Sequence, residues 1–550
     1  MGQSQRETLL CGQNSIMKIE IYDTTLRDGM QGCGMDFSPE DKLAVLHTLD
    51  RLGVTYIEVG MLTDAASLDY CRQIAEEKLE TAIPVIFGQT CRPGEACRDN
   101  PTLRAMADCP LPVAAIYGKS WLYQVQQVLH TTEEENLRMI WDTVAFLKSA
   151  GKQVFFDAEH FFDGYSDNAE YALRVVDTAF TAGADRVILC DTNGGMLPDT
   201  IGLVVSAVIQ QYGIGKIGIH CHNDLGMAAA CSVSAVLSGA SQVQGTISGF
   251  GERCGNANLN TLIPVLQLKL GFDCIGENLP NLTSCARQIS ETANRAFNEN
   301  EPFVGGYAFT HKAGTHIDGV TKAPRSFEHM DPAAVGNRRN IVISSLSGRA
   351  ALADKMRSYL PPEDLTKDSP RLLELSRILK EREALGFDYE DAAASLALVI
   401  EEVLNQRKRY FDLLHFKVMV ENSPLRTLSD FSEAESMTAI ATIKIAVGGT
   451  EELTAGEGNG PVNAMDEALR RALLRFYPQI SQMRLTDYRV RVLNSGATAS
   501  VVRVLIESTD GIEVWRTVGV SPDIITASWQ ALRDSVEYML SRRLSPAQGE

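Results

Sequence analysis

The stretch Gln153-Val-Phe-Phe-Asp-Ala-Glu159 decides the fold, because it is a short β-rich run that ends in acidic residues and precedes a helical pattern. Similar runs recur through the first half of the chain, at 16–23, 54–60, 83–88, 112–118, 186–191, 216–222 and 242–248. Eight strands that alternate with helices over about 250 residues have the size and period of an α/β (β/α)8 TIM barrel. A doubly wound open sheet is the alternative, but its G-x-G-x-x-G pattern does not follow the first strand.

The alternation of strands and helices stops near residue 280. Between 281 and 408 helical patterns dominate, notably over 363–385 and 389–407, which indicates a helical linker subdomain. Strand-like runs then flank long helical stretches, a pattern typical of an α+β domain. The strand-like runs are 414–421, 437–447, 488–492 and 499–507, and the helical stretches are 462–476 and 524–543. The sequence therefore predicts a barrel over 16–280, a helical linker over 281–408 and an α+β domain over 409–545.

The charge balance and the cysteine pattern exclude several classes of function. Lys and Arg total 51 against 70 Asp and Glu, a formal charge of −19, which disfavours binding to nucleic acid or to anionic membranes. The longest uncharged stretch, 225–251, is rich in Ser, Gly and Gln, so no membrane span is predicted. Twelve cysteines without any C-x-x-C spacing indicate reduced thiols in a cytoplasmic protein.

Chemically active side chains of a TIM barrel lie at the carboxyl ends of its strands. The seventh run ends in His220-Cys-His222, and residues two apart on a strand point to the same face, so both imidazoles could ligate one metal ion. Histidines at this spacing are more often ordinary surface or core residues. Asp28, which follows the first run, changes that balance, because two histidines and a carboxylate form a known catalytic metal set.

Three further places carry candidate catalytic groups. Arg27 would set a fixed cation beside the metal, and the alternative is a weak surface ion pair. Glu159 follows an apolar run, and the alternative is a structural acid paired with an arginine. Outside the barrel, an extended loop would present His316 and Asp318 to one side, which makes His316 a candidate general base. A solvated loop histidine is equally frequent for that pattern alone.

Several of these segments together resemble a known superfamily, the DRE-TIM metallolyase barrels. The resemblance lies in Asp23-Thr-Thr-Leu-Arg27-Asp28-Gly29, His220-x-His222-Asn-Asp224 and Gly251-Glu-Arg-Cys-Gly-Asn256. Within that superfamily the chain resembles the citramalate synthase family over nearly its whole length, in the segments 158–165, 189–195, 243–249, 335–339, 455–463 and 484–488. The last two fall in the α+β domain, which resembles the regulatory domain with which 2-isopropylmalate and citramalate synthases bind an amino-acid end product.

The resemblance implies an enzyme, an acyltransferase that condenses acetyl-CoA with pyruvate and hydrolyses the thioester to citramalate and CoA, in isoleucine biosynthesis. It also implies a homodimer, with isoleucine as the expected amino-acid effector. It implies a divalent metal ion, Mg²⁺, Mn²⁺ or Zn²⁺, held by Asp28, His220, His222 and Asn256.

The resemblance also assigns roles around that ion. Arg27 and Thr192 are expected to bind the 2-oxoacid, with Glu159 close by. His316, with Asp318, corresponds to the catalytic histidine segment that follows the barrel in this family.

Two departures from the family pattern leave the 2-oxoacid open. Residues 60–65 replace a Trp-Pro-Gly-Ser-Asn-Pro-like stretch, and Ile317-Asp318 replaces a Val-Ser-like pair. Synthesis of 2-isopropylmalate or homocitrate is therefore the first alternative. A retro-aldol lyase acting on a hydroxyacyl-CoA is disfavoured by the C-terminal domain, and an amino-acid sensor with an inactive barrel is disfavoured by the complete metal set.

Overall fold

The structure, a computed structural model, describes residues 18–62, 65–312, 314–341, 356, 369–421, 438–493 and 500–544. The described residues up to Phe309, with Met330–Arg339, form a first compact unit. Thr310–His329 and the described residues from Asn340 onward form a second unit. Parts of the predicted segments lie outside the described residues, namely 16–17, 63–64, 363–368, 437 and 499.

Eight parallel strands close into a barrel in the first unit, which confirms the predicted fold. The strands are β1 (Glu20–Asp23), β2 (Tyr56–Met61), β3 (Ile83–Gln89), β4 (Val113–Lys119), β5 (Gln153–Glu159), β6 (Arg186–Asp191), β7 (Ile217–Cys221) and β8 (Gln242–Gly245). β1 pairs with β8, with Asp23 opposite Gly245, so the barrel closes between its first and last strands. Residues that follow β1 therefore lie beside residues that follow the last strands.

Helices follow the strands and cover the barrel. They are α1 (Pro39–Leu52), α2 (Ala65–Glu76), α3 (Pro101–Asp108), α4 (Leu122–Gln127), α5 (Glu133–Ser149), α6 (Phe161–Asp167), α7 (Ala169–Thr181), α8 (Pro198–Tyr212), α9 (Ala228–Leu237), α10 (Leu259–Pro264) and α11 (Leu282–Thr292). α1 begins with a capping box, in which Ser38 accepts from the Asp41 N–H and Asp41 accepts from the Ser38 N–H. It ends at Gly53, whose left-handed backbone stops the helix.

Aromatic side chains fill the inside of the barrel. The rings of Tyr56 and Phe155 meet edge to face at 5.1 Å, and Tyr22 lies 6.0 Å from Tyr56. A larger apolar core lies between the strands and the surrounding helices. The interior is therefore packed, and the open part of the barrel is the mouth at the carboxyl ends of the strands.

The second unit joins part of the predicted linker segment to the C-terminal part of the chain, where the predicted α+β structure is present. Its strands are β9 (Thr310–His311), β10 (Asn340–Ile341), β11 (Asp412–Glu421), β12 (Thr438–Val447), β13 (Thr450–Gly458), β14 (Arg484–Val492), β15 (Val502–Thr509) and β16 (Val514–Ser521). Its helices are α12 (Gly314–Lys322), α13 (Pro370–Ala384), α14 (Ala393–Val403), α15 (Pro461–Leu474) and α16 (Ile524–Leu544). β11–β13 and β14–β16 form two antiparallel sheets, and β9 pairs with β10 in parallel. The sequence patterns do not predict β9, β10, β13 or β16. Among the helices that the structure describes, none has the length and hydropathy that crossing a bilayer requires.

One sequence-based expectation is wrong, because His316 and Asp318 lie in helix α12 and not in an extended loop. Ile317 and Val320, three residues apart, are both buried and give the segment a helical apolar face. Residues two apart on a helix point in directions about 200° apart, so His316 and Asp318 do not share a side. Asp318 instead pairs with Lys322, one turn later, at 2.7 Å.

Candidate metal and substrate site

Three metal-ligating side chains converge at the mouth of the barrel. Asp28 follows β1, and His220 and His222 lie at the end of β7. His220 Nε2 is 3.4 Å from Asp28 Oδ2 and 3.4 Å from His222 Nε2. The third side of this triangle, from His222 Nε2 to Asp28 Oδ2, is 4.0 Å, and all three residues are buried. Barrel closure thus brings together two imidazoles and a carboxylate from distant parts of the sequence.

The geometry and chemistry of these atoms fit a divalent cation. In the plane of the three atoms, the point equidistant from them lies about 2.1 Å from each, within the range of metal–nitrogen and metal–oxygen bonds. A backbone bridge joins His222 to Asn256, whose Nδ2 donates to the Phe250 carbonyl oxygen at 3.0 Å. Asp28 Oδ1 and Asn256 Oδ1 are buried and have no hydrogen-bond partner among the described residues. Buried oxygens of this kind are costly unless a ligand satisfies them.

The charge states of the three residues also suit an ion. Burial opposes ionisation of Asp28, but Arg27 and the two imidazoles outweigh it and hold the pKa of Asp28 well below its usual range. Burial and the neighbouring His220 lower the pKa of His222 to about 4, so this imidazole is neutral at pH 7. The Nδ1–H of His220 donates to Gln244 Oε1 at 2.9 Å, which leaves the lone pair on Nε2. Burial opposes protonation of His220, but the contacts with Asp28 outweigh burial and raise the pKa of His220, so a metal ion would compete with a proton for Nε2.

Arg27 is held beside this set by residues that the sequence analysis did not identify. Its Nε donates to Glu58 Oε2 at 2.7 Å, and its guanidinium lies 3.9 Å from the centre of the Phe87 ring. Glu58 is wholly buried and also accepts from the Tyr22 hydroxyl at 3.0 Å. Burial raises the pKa of Glu58, and the contact with Arg27 offsets part of that rise. The only sequence signal for Glu58 is a lone acid inside the apolar run of β2.

A cavity of about 440 Å³ opens over the metal-ligating residues. Its lining includes Arg27, Tyr117, Asp157, Glu159, Cys190 and Thr192. Glu159 pairs with Lys119 at 2.5 Å, so the predicted acid does have a cationic partner, although that partner is a lysine. Burial, and then the neighbouring Glu58, raises the pKa of Asp157 to about 7. The cavity thus offers both a cation and a weakly acidic carboxyl to a small polar ligand.

Thr192 lies at the rim of this cavity, directly after β6. Its carbonyl oxygen accepts from Arg253 at 2.8 Å, and Arg253 is itself held by both carboxylate oxygens of Asp224 at 2.9 Å each. Arg253 therefore holds the backbone of Thr192 in place, and Thr192 forms part of the cavity wall.

Comparison with known proteins places this architecture in a family. Residues 18–285 match the HMGL-like family, 303–366 match the homocitrate synthase post-HMGL domain-like family, and 390–540 match the LeuA allosteric (dimerisation) domain. The (R)-citramalate synthase of Aquifex aeolicus is 45% identical over 528 residues, which cover 96% of this chain and 98% of that protein. The (R)-citramalate synthase of Synechocystis is 44% identical, covering 94% and 96%, and that of Geobacter sulfurreducens is 42% identical, covering 95% and 98%.

The chain belongs to the citramalate synthase family. This membership confirms the resemblance inferred from the sequence, and it extends through both units. The HMGL-like match contains Asp28, His220, His222 and Asn256. The post-HMGL match contains His316 and Asp318, which lie in the second unit, whereas the other predicted site residues lie in the first.

His316 is an exposed residue of this citramalate synthase family member. Its ring packs against Phe327, with 4.5 Å between the ring centres. Asp318, on another side of α12, is engaged with Lys322. His316 is therefore free to meet a ligand from solvent, but Asp318 does not orient its imidazole.

Proposed function

We propose that this protein condenses acetyl-CoA with pyruvate and hydrolyses the resulting thioester to citramalate and CoA. The observation that carries this proposal is the 45% identity to an (R)-citramalate synthase over 96% of the chain. The buried set of two histidines, a carboxylate and an amide at the barrel mouth supports it, because the reaction needs an electrophile activated in a confined site.

The divalent ion, Mg²⁺, Mn²⁺ or Zn²⁺, would be held by Asp28, His220, His222 and Asn256, and when bound it supplies a Lewis acid for the ketone of the 2-oxoacid.

The chain's own residues bind and orient the 2-oxoacid. Arg27, clamped by Glu58 and stacked on Phe87, directs fixed N–H donors at the oxygen on which negative charge develops. Thr192 donates its hydroxyl hydrogen to the substrate carboxylate. Glu159, paired with Lys119, lines the same cavity and lies close to the bound 2-oxoacid.

We assign to His316 the removal of the methyl proton of acetyl-CoA, because its imidazole is exposed and belongs to the segment that matches the homocitrate synthase post-HMGL domain-like family. General-base catalysis of this kind contributes about 10²–10⁴ in rate. Asp318 faces away from the imidazole along α12, and we give it no orienting contact.

Release of free thiol from acetyl-CoA tests the reaction. We expect release that depends on both a divalent ion and pyruvate, and that stops when a chelator is added. Preference for 2-oxoisovalerate or 2-oxoglutarate would support 2-isopropylmalate or homocitrate synthesis instead. Absence of release with every small 2-oxoacid would contradict the proposed function.

Two histidine variants separate the metal site from general effects of losing an imidazole. His220→Ala should abolish turnover and weaken Mn²⁺ binding in a calorimetric titration. His47→Ala is the matched control, because His47 pairs with Glu77 on the outside of the barrel and should leave both measurements unchanged. Equal Mn²⁺ binding by the two variants would remove His220 from the metal set.

We also propose that the second unit binds an amino-acid end product, isoleucine first, and joins two copies of the chain into a homodimer. The match of residues 390–540 to the LeuA allosteric (dimerisation) domain supports both roles. We place the enzyme in isoleucine biosynthesis because of its identity to (R)-citramalate synthases. We place it in the cytoplasm because the cysteines that the structure describes are all free thiols. Calorimetry with isoleucine and leucine, and sedimentation of the purified chain, test these points. Failure of both amino acids to bind, or a monomer in sedimentation, would contradict them.

A further inference from the structure

The residue that follows β5, His160, connects two residues of the substrate cavity. Its backbone N–H donates to Thr192 Oγ1 at 2.8 Å. The residue before it, Glu159, lines the cavity, and the Glu159 carbonyl oxygen accepts from the Ser120 hydroxyl at 2.6 Å. The chain is therefore anchored on both sides of the peptide bond that joins Glu159 to His160.

The backbone of His160 is in the left-handed region, with φ 57° and ψ 34°. A residue other than glycine is strained in this region, and it keeps this backbone conformation only when its surroundings hold it. The His160 side chain is buried and supported on three sides. Its Nδ1 is 3.3 Å from Asp163 Oδ2, its Nε2 is 3.3 Å from Gln124 Nε2, and its ring lies 5.6 Å from the Trp121 ring. The imidazole is thus the part of the residue that keeps the strained backbone in place.

The groups around the imidazole are themselves tied to β6. Asp163 Oδ2 also accepts from Asn193 Nδ2 at 3.1 Å, and Asn193 directly follows Thr192. Trp121 Nε1 donates to Asp167 Oδ2 at 2.5 Å, which holds the indole against the helix that His160 begins. A shift of the imidazole would therefore displace Asp163 and, through Asn193, the end of β6 where Thr192 lies.

The contact has a consequence for the hydrogen of the Thr192 hydroxyl. A backbone N–H can only donate, so the Thr192 oxygen accepts from His160 and its own hydrogen remains available. The carboxylate of a 2-oxoacid can only accept, so it pairs with a hydroxyl that is set up as a donor. His160 thereby fixes the position of the Thr192 hydroxyl oxygen, and it leaves this hydroxyl to act as a donor to the substrate.

We propose that His160 is a positioning residue for the 2-oxoacid, whose buried imidazole holds the left-handed backbone that directs the residue 160 N–H at Thr192 Oγ1 and presents the Thr192 hydroxyl to the substrate carboxylate. This inference rests on the proposed function, since it assigns the Thr192 hydroxyl to the 2-oxoacid. It adds a residue that touches neither the substrate nor the metal-ligating set.

Steady-state kinetics of three variants test this role. His160→Ala removes the support of a strained backbone and should raise the KM for the 2-oxoacid by about tenfold or more, the loss of one hydrogen bond to a charged group. The KM for acetyl-CoA should stay unchanged. His160→Asn should keep the KM for the 2-oxoacid close to that of the wild type, because asparagine tolerates the left-handed region and its amide can still bond to Asp163. His130→Ala is the matched control, since His130 is also left-handed, with φ 51°, but exposed on a loop.

A double-mutant cycle shows whether His160 acts through Thr192. Thr192→Val removes the hydroxyl, and in that background His160→Ala should raise the 2-oxoacid KM no further. Additive effects, an equal rise in the acetyl-CoA KM, or a folded His160→Ala variant with an unchanged 2-oxoacid KM would each overturn the proposal.

Hydrogen exchange gives a measurement that does not depend on turnover. Thr192→Val should speed exchange of the amide of residue 160, because that amide loses its acceptor, and it should leave the amide of residue 130 unchanged. Unaltered exchange at residue 160 would overturn the inference by itself. If no 2-oxoacid supports thiol release by the wild type, the proposed function fails, and the exchange result still decides whether the two residues are coupled.

Discussion

Replacing Glu58 by Gln removes one negative charge from a wholly buried position without changing the shape of the side chain. Arg27 Nε donates to Glu58 Oε2 at 2.7 Å, and the Tyr22 hydroxyl donates to Oε1 at 3.0 Å. In the variant, the guanidinium would face a neutral amide. The substitution therefore tests whether Arg27 depends on this carboxylate for its position and its stability in the barrel.

The expected magnitude follows from the burial of the pair. The Arg27 side chain is 13% exposed and that of Glu58 is 0% exposed. Removing one partner of such a buried pair costs about 3–5 kcal/mol. Asp28 Oδ2 remains 3.4 Å from Arg27 Nη1 and compensates part of the charge, so we expect a loss near the lower end, about 3 kcal/mol. A displaced guanidinium would also stabilise the developing oxyanion less well, which should lower kcat by about 10²–10³.

Urea unfolding and thiol-release kinetics at one pH measure the two effects. Glu133→Gln is the matched control, because Glu133 pairs with Arg174 at 3.1 Å on the surface, with side chains 32% and 44% exposed. That change should cost less than about 1 kcal/mol and leave kcat unchanged. A Glu58→Gln variant as stable and as active as the control would refute the reasoning about Arg27.

Three further changes test other parts of the first unit. Burial raises the pKa of Asp50, but hydrogen bonds from three backbone N–H groups outweigh burial and lower that pKa. The stabilisation from these hydrogen bonds is therefore complete above about pH 4 and is lost as pH falls through the folded pKa. Urea unfolding should show Asp50→Asn less stable by about 2 kcal/mol at pH 7 and less so at pH 3, and a difference independent of pH would contradict this. Gly255 has φ +86°, and Gly255→Ala would press a Cβ against the Gly249 carbonyl oxygen. Calorimetry should therefore show weaker Mn²⁺ binding through a shifted Asn256, and unchanged affinity would count against Asn256 as a ligand. Arg27→Ala should lower kcat by about 10²–10³ while Mn²⁺ affinity stays within a few-fold, and an unchanged kcat would remove Arg27 from the mechanism.

The barrel is predictable because strands that are buried on both faces contain apolar runs, such as Val154-Phe-Phe156 in β5. β13, Thr450–Gly458, lacks that signal. It contains three glutamates and two glycines, and it lies at the edge of the described three-stranded sheet, where it pairs with β12. Its conformation comes from that pairing and from the tight packing of α15 against Gly456, and neither can be read from its own residues.

The candidate metal ligands can be found from the sequence because they lie at the ends of predicted strands, whereas the residues that support them cannot. Glu58 is separated from Arg27 by 31 residues, and the parallel pairing of β1 with β2 brings the two together. His160 gives no local signal of its left-handed backbone. The helix around His316 is hard to predict because most of its residues are polar or small, which favours a loop. Its two buried apolar residues indicate a helix only once the unit is packed.

Closure of the barrel between β1 and β8 has a consequence for how the protein is made. Asp28 leaves the ribosome early, but Asn256 follows more than two hundred residues later, which at about 5–20 residues per second is roughly 10–45 seconds. Throughout that interval the nascent chain can offer a cation no more than a partial set of ligands. A complete metal site therefore cannot form while the early strands are being made, and it arises only when β8 closes the barrel against β1.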